Sequence, residues 1–185
     1  SVTLTGITSS AFTLNWASAA GGGAQPVVYT IDVATDAAFT APVTGSPFTV
    51  NDPTVTLNVS GLNSNTTYHY RILAGNGCNS AYASGNLTTA CAPFTPTFTE
   101  NFATYVPTCW SEMTGYLNNA SILTGTSSAW VADGWLNSGS TGAARINLFT
   151  TGKRDWLISP PIDLGLAGNY QLEFDLATLQ FASTT

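Results

Sequence analysis

Charge is what this sequence has least of. Asp, Glu, Lys and Arg make up 8% of its 185 residues, against roughly 25% in an ordinary soluble domain. Lys and Arg together number 4 and the formal net charge is −6. Four cations do not build a patch that neutralises phosphates, so nucleic acid is not expected as a partner. The same shortage argues against docking on anionic lipid. No hydrophobic run approaches the ~20 residues that a helix needs to span a bilayer, so membrane insertion of this segment is not expected. Histidine occurs once, and none of the three cysteines stands in a CxxC pair. That argues against a zinc site and leaves a catalytic thiol without an evident base. No G-x-S-x-G, HExxH, P-loop or GxGxxG motif is present. The chain is therefore read as non-catalytic.

Thr, Ser, Asn and Gly fill the place that Lys and Glu usually hold. Such a neutral, hydroxyl-rich surface suits an extracellular β protein. Residues 1–90 alternate apolar and polar with period two in short runs. Phe12, Leu14 and Trp16 share a face, as do Val27, Tyr29, Ile31 and Val33, then Val55, Leu57 and Val59, then Tyr68, Tyr70, Ile72 and Ala74. Val2–Ile7 and Tyr82–Thr89 add a first and a last strand, and the Pro-interrupted run Pro42–Val50 an edge segment. About seven short strands in ~90 residues predict a small β-sandwich.

Trp16 and the run Gly61-Leu62-Asn63-Ser64-Asn65-Thr66-Thr67-Tyr68 carry a resemblance. This stretch resembles a fibronectin type III domain, with Trp on the second strand and a Leu-x-x-Asn-Thr-x-Tyr run entering the sixth. Ser64 stands where the family usually has Pro. The resemblance implies that Tyr68 forms a tyrosine corner, its ring buried and its hydroxyl bonded to nearby backbone. The expected bond is donation to a backbone acceptor.

From Phe98 the pattern changes. Phe98–Phe102 reads as a strand and is followed by Pro107-Thr108-Cys109-Trp110. Ala129–Ala132 and Trp135 add aromatic bulk, and Ala144–Phe149 alternates. Asp155–Leu164 (DWLISPPIDL) precedes a final alternating strand, Tyr170–Leu176. The whole chain is thus read as all-β, a fibronectin type III-like sandwich over 1–90 followed over 91–185 by part of a jelly-roll sandwich. The three pieces 98–102, 107–110 and 155–164 resemble the MAM-like jelly-roll domains of Bacteroidetes surface proteins, the cleaved-adhesin or choice-of-anchor J group. The resemblance implies a domain running well past Leu176, so the chain is expected to be a piece of something longer, its last strand left without a neighbour. It also implies a secreted or cell-surface location, export by the type IX pathway, and a glycan or a surface protein as partner, beside neighbouring domains of the same longer chain.

Disulfides are the favoured reading of the cysteines in an oxidising location, over free buried thiols. Cys78 and Cys91 flank the seventh strand, which places them at opposite poles ~20 Å apart, beyond the ~4.4–6.8 Å Cα spacing a disulfide allows. Cys91 is therefore expected to pair with Cys109, leaving an interdomain linker of almost no length and a stiff junction, and Cys78 with a cysteine preceding Ser1. Trp110, Trp130, Trp135 and Trp156 suit either a sugar platform or core packing. Core is favoured, most of all for Trp110 and Trp156. Glu100 is the candidate calcium ligand, with Asp163, Glu173 and Asp175 as further oxygen donors. His69, opposite in parity to Tyr68 and Tyr70, is expected to face solvent. Asn58, Asn65, Asn86 and Asn119 each open an N-x-S/T sequon. The leading functional reading is a spacer plus a binding jelly roll from a large adhesin. The alternatives are an accessory region of a secreted peptidase or glycoside hydrolase, and a stalk without ligand.

Overall fold

A computed structural model describes residues 1–19, 26–76, 78–115, 129–148, 154–166 and 168–179. Among these the chain is all-β, with eleven strands and no α-helix. It divides into two compact units, Ser1–Ala92 and Pro93–Thr185.

The first unit holds seven strands: β1 (Val2–Thr5), β2 (Ala11–Trp16), β3 (Val28–Ala34), β4 (Phe48–Asn51), β5 (Thr56–Ser60), β6 (Thr67–Gly75) and β7 (Ala83–Thr88). They form two antiparallel sheets, ordered β1-β2-β5 and β4-β3-β6-β7. Period-two alternation sends Phe12, Leu14, Trp16 and Val59 inward from one sheet. Tyr29, Ile31, Val33, Tyr68, Tyr70, Ile72 and Leu87 enter from the other. Each large apolar side chain fully buried this way contributes ~1.5–3 kcal/mol. Trp16 meets Tyr29 edge to face at 5.2 Å. The proline-bearing segment meets β3 first at a single bridge, Ala34 to Pro42, and its continuous strand β4 begins only at Phe48. Pro42 and Pro47 remove backbone donors, and the Val33 N–H is taken by the Ser46 hydroxyl at 2.9 Å.

The outward-facing rows are bonded by neutral groups. Thr13 reaches Asn58, Asn15 bridges Thr5 and Thr56, and Thr67 meets Thr88, at 2.9–3.4 Å. Most of these are cross-strand partners in register, the positions where ion pairs stand in charge-rich sheets.

The tyrosine corner is present with its polarity reversed. Tyr68 is buried, and its hydroxyl accepts from the Asn63 N–H at 2.9 Å instead of serving a backbone acceptor. Buried Thr89 completes the corner, accepting from the Thr66 N–H and donating to the Asn63 carbonyl at 2.7 Å. A second buried hydroxyl was not foreseen: Tyr29 accepts from the Ala19 N–H and donates to Asp52, pinning the exit of β2 to the β4–β5 turn.

The second unit pairs β8 (Ser111–Thr114) with β11 (Asp155–Ile158), and β9 (Trp130–Asp133) with β10 (Ala143–Ile146). The Trp130 indole N–H donates to the Asp155 carbonyl, tying one ribbon to the other. Phe94 is bridged in parallel to Ile162, its N–H and C=O bonded to Pro161 and Asp163 at 2.8 Å. Every member of the large apolar cluster belongs to the first unit.

Two expected strands are not strands. Phe98–Phe102 is irregular, because the Glu100 carboxylate takes the Phe102 N–H at 2.7 Å and Asn101 takes that of Ala103, bending the chain locally. Phe102 itself sits at a φ of 51°. Tyr170–Leu176 has its alternation but no neighbouring strand among the described residues, and Leu172, Phe174 and Leu176 are at least 75% exposed. A strand without a partner leaves its backbone ladder unmade, and period-two patterning alone does not supply one.

Candidate interaction surface on the first unit

The outer face of the four-stranded sheet gathers an ion pair and two aromatic rings around one cation. Cross-strand register places Asp32 on β3 opposite Arg71 on β6, and Arg71 opposite Ser84 on β7. One step along, Ala34, His69 and Asn86 form the next row. Arg71 is the one basic residue of unit 1, set against three aspartates. Its Nε donates to Asp32 Oδ2 at 2.7 Å. Its guanidinium lies 4.3 Å from the ring centre of Phe39 and 4.8 Å from that of Tyr82, a cation between two aromatic faces. The bond to Asp32 raises the Arg71 pKa above its ordinary value, against burial, with the charges of that carboxylate and of the Tyr82 phenolate oxygen adding to it.

A local turn builds one wall of this arrangement. The Asp36 carboxylate accepts from the backbone N–H groups of Ala38, Thr40 and Ala41 and from the Thr40 hydroxyl, at 2.7–3.2 Å. The bonds from the Thr40 and Ala41 N–H groups lead in holding its pKa below the usual carboxylate value. The turn drives Phe39 to a φ of 59°, a conformation L residues rarely adopt, and lays its ring on Arg71. The second wall, Tyr82, is 51% exposed.

The residues expected to bear function from sequence alone lie elsewhere. Glu100 is partly buried, and Oε1 of its carboxylate accepts the Phe102 N–H. Among the described residues no three of His, Cys, Asp or Glu converge as a metal site. Cys91 and Cys109 are both disulfide-bonded, and Cys78 is an exposed free thiol. Trp110 is partly buried against Phe102 at 5.5 Å, with its indole nitrogen buried and unbonded. Trp156 departs from the core expectation: it is 36% exposed, donating to the Gly115 carbonyl from one side of a two-stranded ribbon. Trp135 is exposed and Trp130 partly buried. His69 faces outward as expected, but half-buried. The Arg71 surface had two legible signals: a lone cation at outward parity between Tyr70 and Ile72, and the Asp36-x-x-x-Thr40 turn.

Residues 1–89 match the family model for the fibronectin type III domain. Similar solved structures include a redesigned β-sandwich protein, 24% identical, covering 49% of this chain and 92% of that one, with a TM-score of 0.38. Chicken CNTN1 domains FN1–FN3 are 17% identical, covering 49% of this chain and 29% of that one, with a TM-score of 0.38. The sixth fibronectin type III domain from human fibronectin type III domain containing protein 3 is 18% identical, covering 49% and 82%, with a TM-score of 0.36. No curated protein matches the chain. No helix among the described residues is long and apolar enough to cross a membrane.

Proposed function

Taking residues 1–89 as a fibronectin type III domain, a module typical of larger multidomain proteins, we propose that this chain is a non-catalytic stretch of a secreted or cell-surface adhesin. In this reading the second unit begins a MAM-like jelly-roll module that engages a glycan or a surface protein. The observation that supports it is the Phe94 clasp. The chain at the start of the second unit is bonded through Phe94 to Pro161–Asp163, while β8, just after Trp110, pairs with β11. Residues next to the first two adhesin-like segments are thereby bonded to the third, Asp155–Leu164. Disulfide-bonded Cys91 and Cys109 accord with an oxidising, extracytoplasmic location.

The test is a glycan array and a surface-protein pull-down with the full open reading frame. Binding that maps to the second unit supports the adhesin. A catalytic motif elsewhere in the frame, with binding confined to that enzyme's substrate, would replace it with an accessory role. Uniformly negative arrays and pull-downs favour a stalk.

A further inference from the structure

We propose that the outer sheet face around Arg71 is itself a binding site for a saccharide carrying a single carboxylate, such as a uronate. The proposal does not rest on the second unit's role.

Three observations carry it. First, Arg71 is only partly satisfied. Nε is held by Asp32, while the terminal guanidinium nitrogens make no hydrogen bond among the described residues and are not sealed from solvent. A guanidinium fixed at one edge presents its remaining donors in the fork that matches a carboxylate. Second, the fork is held rigid before any ligand arrives. Phe39 is kept against it by the Asp36 turn, in a backbone conformation that costs free energy. Strain of this kind persists where a surrounding structure over-determines it and clusters at ligand clamps. Third, the neighbouring groups suit a sugar. Tyr82 offers an exposed aromatic side chain to the C–H face of a pyranose, and Ser84 and Asn86 are neutral and exposed on the adjoining strand.

Charge decides between ligand classes. Unit 1 has three aspartates and one arginine, and the whole chain carries −6. A polyanion such as a phosphate chain or a heavily sulfated glycan meets net repulsion beyond the single cation. A ring with one carboxylate and several hydroxyls meets the guanidinium edge left open opposite Asp32, with neutral Ser84 and Asn86 beside it.

The experiment is an NMR titration of the 185-residue chain with methyl β-D-glucuronoside, methyl β-D-glucoside, acetate and N-acetyl-aspartate amide. The glucuronoside is expected to shift first-unit resonances around Arg71, Tyr82 and Ser84, and to bind about tenfold more tightly than the neutral glucoside, the ratio one charge-assisted contact gives. Tyr82→Ala should weaken glucuronoside binding about fivefold, through loss of an exposed aromatic face, with an unchanged melting midpoint. Arg71→Gln should weaken it about tenfold, to the level of the glucoside, and Arg71→Lys should recover only part of that loss, because an ammonium lacks the fork. The proposal is overturned if glucuronoside and glucoside bind alike, or if acetate or N-acetyl-aspartate amide matches the glucuronoside. It is equally overturned if Tyr82→Ala binds as the wild type does, if the shifts map to the second unit, or if no first-unit resonance moves. Because the readout is local to unit 1, a failure here leaves the adhesin reading of the second unit untouched, and the reverse.

Discussion

Replacing Tyr68 by Phe removes one oxygen and nothing else. The ring, 2% exposed, stays in the core of the first unit, so no cavity opens. What is lost is the acceptor for the Asn63 N–H, 2.9 Å away. A stranded buried donor costs ~1–3 kcal/mol. Asn63 itself is exposed, so water reaches part of the vacated site, which sets the cost near the low end, about 1–1.5 kcal/mol. For a unit of this size each kcal/mol moves the midpoint by ~4–8 °C, so the first-unit transition should fall by roughly 5–10 °C. Differential scanning calorimetry reads it, with the second unit's transition as internal reference. Tyr70→Phe is the matched control. Tyr70 is also buried, two residues along the same face, but its hydroxyl makes no hydrogen bond among the described residues, so its loss should cost less than about 0.5 kcal/mol. If the two variants melt alike, the corner bond does not hold the unit and the reasoning fails.

Gly85 lies under the Tyr70 ring, where an added Cβ would come within 2.5 Å of the hydroxyl oxygen and 2.8 Å of the ring. Gly85→Ala should therefore destabilise the first unit by ~1–3 kcal/mol through overpacking, measured by urea unfolding; a gain in stability would show that the ring yields freely. Asp36 has a folded pKa below the ordinary 3.8, set first by the Thr40 N–H. Its contribution is thus present above the unfolded pKa and is lost as pH falls through the lower, folded value. Asp36→Asn should lower the midpoint at pH 6 and flatten its fall below about pH 4, and parallel pH profiles for variant and wild type would contradict this. Non-reducing peptide mapping should return a Cys91–Cys109 peptide and an alkylatable Cys78, with reduction costing ~3 kcal/mol from loop entropy. A Cys78–Cys91 peptide refutes the pairing.

Most of the first unit was legible because its signals are local and repeated. Phe12, Leu14 and Trp16, like Tyr68, Tyr70 and Ile72, announce both the strand and its buried face, and Leu62 to Tyr68 announces the corner. The direction of the Tyr68 bond was not legible, since a hydroxyl donates or accepts according to where the backbone turns. The Arg71 surface was hidden for a different reason. Asp32, Phe39, Arg71 and Tyr82 span 50 residues and meet only through strand register and one carboxylate-capped turn. In the second unit a local pattern says less. Glu100 alone names no set of ligands, and one oxygen of its carboxylate accepts a backbone N–H two residues away. Tyr170–Leu176 carries the pattern of a strand, but pairing is a property of two segments, and among the described residues no second one lies beside it.

The hydroxyl and amide rows across the first unit's outer surfaces have a consequence for the medium in which it works. Dipolar contacts such as Thr67 to Thr88 and Asn15 to Thr56 act over bond length and are not weakened by a counter-ion atmosphere, as surface ion pairs are. A sandwich laced this way should melt at nearly the same temperature in dilute buffer and in brine. The converse is weak colloidal protection: with so few ionised groups, the chain should cluster readily near its isoelectric point of about 4.2. The same neutral coat that ignores salinity thus makes acidity, and not salt, the variable that governs whether copies stay apart.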